Sequence, residues 1–211
     1  MITVSEHARA TLVERLGLDP ERVRAIHSGV DHERFTPAER TRGSFLLYPA
    51  NRWPHKNHER LFEAFAWLRD ERPELRLVLT GVGHDAARLP AGVESLGGVP
   101  RSELVSLYRR AAALVFPSLY EGFGLPPLEA LACGCPVASS DAGSLPEVLD
   151  DAAVLFDPED PSAIAAGVAE ALDRAAELSA LGPPRAAAFT WEATARAHDE
   201  VYALAGSVSS R

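Results

Sequence analysis

Five short, largely apolar runs recur through the middle of the chain, at residues 45–49, 75–80, 113–117, 137–139 and 154–156, with a weaker sixth strand signal at 93–96. Helical segments separate them. Leu61, Phe62, Phe65 and Leu68 fall on one face of a segment that begins at Asn57 or His58 and runs to Arg72, and Leu104, Leu107 and Tyr108 mark another over 102–112. Strands that read as continuous apolar runs and alternate with helices belong to a parallel sheet covered on both faces. The expected fold is therefore α/β, a doubly wound parallel sheet.

The flanks are less regular. Residues 2–4 form a β-like run, and Ser5 can cap a helix that carries Leu12, Val13 and Leu16 on its apolar side and ends at Gly17. A second run at 23–27 leads into Ser28-Gly29-Val30-Asp31. Nothing up to this point is expected to form a phosphate site or a complete β-α-β unit. Beyond the sheet, Ser162 is expected to cap a helix to Arg174. Two helices then follow near 176–181 and 183–189, and Thr190 caps a last one over 191–205. Residues 208–211 read as a frayed tail. The expected division is 1–43 as a lead-in of strand, helix and linker, 44–189 as the sheet domain, and 190–211 as a C-terminal helix and tail.

A formal net charge of −9 argues against a nucleic-acid partner, which needs a basic face. No run of about 18 apolar residues offers a membrane span. Residues 1–12 lack the basic region and apolar core of a signal peptide, so a cytoplasmic location is expected. Cys133 and Cys135 stand one residue apart, unlike a zinc or redox pair, and read as small buried thiols. His55 and His58 are spaced H-x-x-H but have no third ligand nearby, and read as polar capping residues. His27, His84 and His198 stand alone and read as structural or exposed.

The chemistry concentrates at residues 120–136, YEGFGLPPLEALACGCP. The order is strand, carboxylate, glycine turn, helix. Gly122 and Gly124 permit close backbone approach and positive φ. The amides of Phe123, Gly124 and Leu125 would sit at a helix N-terminus, where free N–H groups and the helix dipole favour an anion. Pro126 and Pro127 fit a first helical turn. Glu121 and Glu129 bracket the turn, and such carboxylates accept hydrogen bonds from sugar or ribose hydroxyls. A second cluster, Pro49 to Asn57, follows the first central strand. Ligands bind beyond the carboxyl ends of strands in an open parallel sheet, so Arg52 and Lys56 are expected across from the glycine turn. Two cations and a helix N-terminus can hold a diphosphate, and the sequence has no D-x-D pair for a divalent ion. No metal or other cofactor is expected.

The stretch LVFPSLYEGFGLPPLEALACGCPVASSD, with its E-x7-E spacing, resembles the retaining glycosyltransferases of the GT-B fold, of the group 1 (family 4) type. The resemblance implies one Rossmann-like half of a GT-B enzyme. V-S…I-H-S-G-V-D…F-T-P matches the join through which that family enters its second, donor-binding domain. It implies that Arg52 and Lys56 clamp the donor diphosphate and stabilise charge on the leaving group. Glu121 would contact the donor sugar without acting as a nucleophile, and Glu129 the ribose. Backbone near Val99 would seat the base. Asp141 or Glu147 would serve the donor sugar or cap a helix.

The parent enzyme would pass a hexosyl unit from a nucleoside diphosphate sugar to a hydroxyl of a sugar, polysaccharide or lipid-linked acceptor. An absent N-terminal half would supply the acceptor site and any peripheral membrane contact. This chain alone would then bind donor with little or no transfer. A-N-R-W-P-H-K-N-H resembles mannosyltransferase members and points to GDP-mannose, whereas Arg101 stands where some guanine-binding relatives carry an acid. Trp191, Ala195, Tyr202 and Leu204 would expose apolar surface or meet a second copy of the chain.

Other readings keep the same residues. Arg52 and Lys56 can be a solvated basic loop, and Glu129 a buried carboxylate satisfied by backbone amides. The whole can be a non-catalytic interaction module, or an epimerase or phosphorylase of similar architecture.

Overall fold

A computed structural model of the chain describes residues 1–38 and 41–208. It begins with β1 (Ile2–Thr3), α1 (Glu6–Leu16) and β2 (Arg24–Ala25). Ser5 caps α1 by accepting from the Ala8 amide at 3.0 Å, and Gly17 ends the helix. β1 and β2 pair in parallel, Ile2 with Arg24 and Thr3 with Ala25. These residues do therefore form a β-α-β unit, contrary to the sequence expectation. Its strands are two residues long and carry no periodicity to read. Leu16, expected on the apolar side of α1, is exposed.

The main sheet has six strands: β3 (Phe45–Pro49), β4 (Arg76–Thr80), β5 (Val93–Ser95), β6 (Ala113–Phe116), β7 (Val137–Ser140) and β8 (Val154–Phe156). Their spatial order is β5-β4-β3-β6-β7-β8 and every pairing is parallel. Leu46, Leu47 and Tyr48 in β3 and all of β6 are fully buried, as both faces are covered. The cover is α2 (His58–Glu71), α3 (Arg101–Arg110), α4 (Leu125–Ala132), α5 (Leu145–Leu149), α6 (Pro161–Asp173) and α7 (Ala175–Ala187). In α2, Leu61, Phe62, Phe65 and Leu68 face the core as their spacing predicts.

Two helix boundaries differ from expectation. Asp160, not Ser162, caps α6 and accepts from the Ser162 amide at 2.8 Å. Pro161 occupies the first helical position, where its missing N–H costs nothing. The two helices expected over 176–189 are one, since α7 continues through Pro183 and Pro184. Leu178, Gly182 and Ala186 bury themselves along α7. A Cβ at Gly182 would stand 3.0 Å from the Leu131 carbonyl of α4, so packing on α4 overrides the two lost backbone bonds.

The last helix, α8 (Trp191–Val208), is capped by Thr190, whose Oγ1 accepts from the Ala193 amide. Thr194 Oγ1 donates to the His27 carbonyl at 2.7 Å and ties α8 to the N-terminal unit. Trp191, Ala195, Tyr202 and Leu204 are exposed. Of the expected tail, residues 209–211 lie outside the described residues. No helix among the described residues is long and apolar enough to cross a membrane.

Candidate functional site

The first strand of the main sheet, β3, lies between β4 on one side and β6 on the other. The connections leaving β3 and β6 therefore diverge, which opens a crevice at the carboxyl ends of those two strands. Both predicted loops sit there.

After β3, a single 3-10 turn at Pro54–Lys56 carries the lysine. Lys56 Nζ donates to Glu121 Oε1 at 2.5 Å, and both side chains are largely buried. The ammonium also lies 5.1 Å from the centre of the Phe116 ring. Lys56 thus stands beside the loop that carries the glycine turn, where the sequence places it. Arg52 is turned the other way. Its Nη2 meets Glu59 Oε1 at 2.5 Å, and Glu59 is exposed. The turn thus divides two hollows. One, of about 340 Å³, is lined by Ala50, Lys56, Thr80, Gly98, Val99 and Leu104 among others. The second, of about 390 Å³, is lined by Arg52, Pro54, His58 and Arg60, with Trp53 shared by both.

After β6, the chain passes Glu121 and Gly122 to the start of α4. Gly124 has φ 102°, as its place in the turn requires, while Gly122 stays outside the left-handed region. A Cβ at Gly122 would meet nothing closer than Val4 Cγ2 at 3.8 Å, so only one of the two glycines is demanded by geometry. The amides of Phe123, Gly124 and Leu125 meet no protein acceptor among the described residues. The loop is held from behind. Glu121 O accepts from Ser144 N and Ser144 Oγ, and Gly122 O accepts from Ser5 Oγ. Gly143 (φ 64°) packs so closely that a Cβ there would lie 2.7 Å from the Glu121 carbonyl.

Glu129, one helical stretch further on, lies in different surroundings. It is buried on α4, accepts from Arg101 Nη2 at 2.8 Å and from Tyr108 Oη at 3.1 Å, and uses no backbone amide in either bond. Burial pushes its carboxyl above the ordinary range, and Arg101 and Tyr108 offset part of that. Arg101 and Tyr108 are seven residues apart on α3, a helical spacing that could have flagged them as partners of one acid.

The remaining candidates are structural in their contacts. Glu147 caps α1, accepting from the Glu6 and His7 amides at 2.8 and 3.1 Å. His27 does not stand alone: its Nε2 lies 2.5 Å from Glu147 Oε1, and its ring packs near Phe123 and Phe189. Asp141 begins the loop that backs Glu121. His58 is buried against Tyr48, Phe62 and His84, whereas His55 packs on Trp53, so H-x-x-H does not converge on one point. Burial, then the neighbouring His84, Arg52 and Lys56, lower the His58 pKa to about 3. His84 Nε2 pairs with the Ala50 carbonyl, and His198 Nδ1 with the Thr194 carbonyl. Cys133 and Cys135 are buried free thiols, each pushed up to about 12, mainly by burial.

Comparison with known proteins matches this architecture. The family described as glycosyl transferases group 1 matches residues 30–183. O-antigen chain mannosyltransferase B of Escherichia coli is 32% identical over 217 residues, covering 91% of this chain and 57% of that protein. MMP alpha-(1->4)-mannosyltransferase of Mycolicibacterium hassiacum is 34% identical over 218 residues, covering 96% and 53%. Sucrose-phosphate synthase from Thermosynechococcus elongatus superposes with a TM-score of 0.84 at 26% identity, over 98% of this chain and 58% of that one. The chain spans about half the length of the curated relatives it matches.

Proposed function

This chain belongs to the glycosyl transferases group 1 family, and we propose that it is the nucleotide-sugar-binding half of a retaining hexosyltransferase. The observation that carries the proposal is the Lys56–Glu121 pair, which joins the loops after β3 and β6 two residues before amides at the start of α4 that meet no protein acceptor among the described residues. A diphosphate placed there takes Lys56 from Glu121 and accepts from the Gly124 and Leu125 amides. The released carboxylate is then free to accept from a donor-sugar hydroxyl. As the sugar–phosphate bond breaks, negative charge grows on the leaving diphosphate. Lys56 and the helix N-terminus stabilise that charge more than they stabilise the intact donor, which lowers the barrier.

Arg52 joins this clamp by leaving Glu59, an exposed pair whose loss costs about 0.2–1 kcal/mol. Glu129 accepts from the ribose through lone pairs that Arg101 and Tyr108 leave open, and the base lies against Val99 in the hollow beside Lys56. The mannosyltransferases among the relatives support a mannosyl donor, and the likeness of A-N-R-W-P-H-K-N-H to mannosyltransferase members supports guanosine as its carrier. In the same proposal the acceptor site belongs to a second domain outside these 211 residues, so this chain binds donor with little or no transfer.

Calorimetry with GDP, UDP and ADP tests the reading and identifies the base. Binding of one of them, weakened about tenfold by Lys56→Ala, is the expected result, the loss of one charge-assisted contact. No heat with any of the three removes the site, and unchanged affinity in Lys56→Ala removes the clamp.

A further inference from the structure

Lys56 is followed in its turn by Asn57. Asn57 is buried, with φ 60° and ψ 37°, a left-handed conformation that asparagine tolerates better than most residues. It stands where a helix cap would, yet its side chain makes no capping bond to α2. Its Nδ2 reaches across the sheet edge instead, donating to the Pro117 carbonyl at 3.0 Å and to the Pro158 carbonyl at 2.7 Å. Pro117 follows β6, and Pro158 follows β8. One amide group therefore joins the loops after three strands. Its Oδ1 is occupied as well, accepting from Arg60 Nη1 at 3.1 Å. Two further bonds brace the same turn: Leu119 N donates to His55 O at 2.8 Å, and Tyr48 Oη donates to Lys56 O at 2.5 Å.

We propose that Asn57 is the positioning residue that sets Lys56 opposite Glu121, by locking the lysine turn to the loop that carries the glutamate. This rests on the donor-binding reading above. Both Asn57 features are needed. Glycine reproduces the backbone angle but deletes the amide. Aspartate keeps shape and angle but turns a two-hydrogen donor into an acceptor facing two carbonyls.

The test uses the full chain with Asn57→Gly and Asn57→Asp, two variants in case one fails to fold. Hydrogen exchange at the Leu119 amide reads the lock without any nucleotide, and the Leu114 amide, bonded to Pro136 O in the sheet, is the internal reference. Leu119 is expected to exchange about tenfold faster in both variants with Leu114 unchanged, the loss of a bond or two from one local opening. The nucleoside diphosphate that binds the wild-type chain is expected to bind about tenfold more weakly, while its monophosphate stays within about twofold. Unchanged Leu119 exchange overturns the lock. Equal losses for monophosphate and diphosphate overturn the positioning role, because general loosening does not single out the second phosphate. A wild-type chain that binds no diphosphate overturns the donor reading instead, and Leu119 exchange then decides the lock alone.

Discussion

The two glutamates of the E-x7-E motif are chemically identical and eight positions apart, yet they occupy opposite kinds of environment. Glu121 sits on a loop, and its side chain is paired with a lysine from another loop. Glu129 sits inside a helix, with one oxygen on an arginine and the other on the hydroxyl of a fully buried tyrosine. A ligand can exchange the first partnership without disturbing the core. The second is part of the packing between α3 and α4. The motif thus joins one acid poised for exchange to one anchored in the fold, and stability and binding should separate along that line.

The strongest challenge to this contrast is Glu129→Ala. It strands the Tyr108 hydroxyl in the core and is expected to cost about 3 kcal/mol in urea unfolding. A loss below about 1 kcal/mol would mean that Glu129 is as exchangeable as Glu121. His58 extends the contrast to pH. Its folded pKa lies below its ordinary value, so its contribution is intact above about pH 6.5 and is lost as pH falls toward 3. Between pH 6.5 and 5 this amounts to about 2 kcal/mol, and His58→Phe is expected to flatten that part of the stability curve. Glu129 works in the opposite direction, since burial raises its pKa and its contribution declines as pH rises above the ordinary carboxylate value.

Glu121→Gln is the sharper probe of the loop side. Unfolding free energy should fall by about 1–2 kcal/mol, less than in Glu129→Ala because Gln keeps an acceptor for the largely buried Lys56, while affinity for the donor sugar nucleotide falls more than affinity for the bare diphosphate. Smallest of all, Arg52→Ala should leave stability within about 0.5 kcal/mol of wild type, measured in the same urea titration.

Most of the six strands were legible because burial on both faces leaves an apolar run, a signal independent of tertiary detail; β5 is the exception, an edge strand with Glu94 exposed and Val93 and Ser95 only half-buried. The carboxylate–glycine–helix order was legible for a related reason: it is local, and Gly124 with its following prolines can do little else. What escaped were partnerships between distant segments. Nothing near Glu129 in sequence names Arg101 or Tyr108. Asn57 reads as the start of a helix and is in fact a bridge to Pro117 and Pro158. Likewise Pro183 and Pro184 forecast a break that close packing on α4 overrules. Local chemistry announces itself in a sequence, whereas contacts made by long-range folding do not.

The crevice arises because neighbouring strands send their connections to opposite faces of the sheet. It is a property of how the chain is threaded, not a hole carved by small side chains. Point substitutions can retune its lining or empty it of charge, but abolishing it would require the strands to be rewired in a new sequence. Such a scaffold can keep offering a seat for a ligand while the residues around that seat drift toward new sugars or new bases.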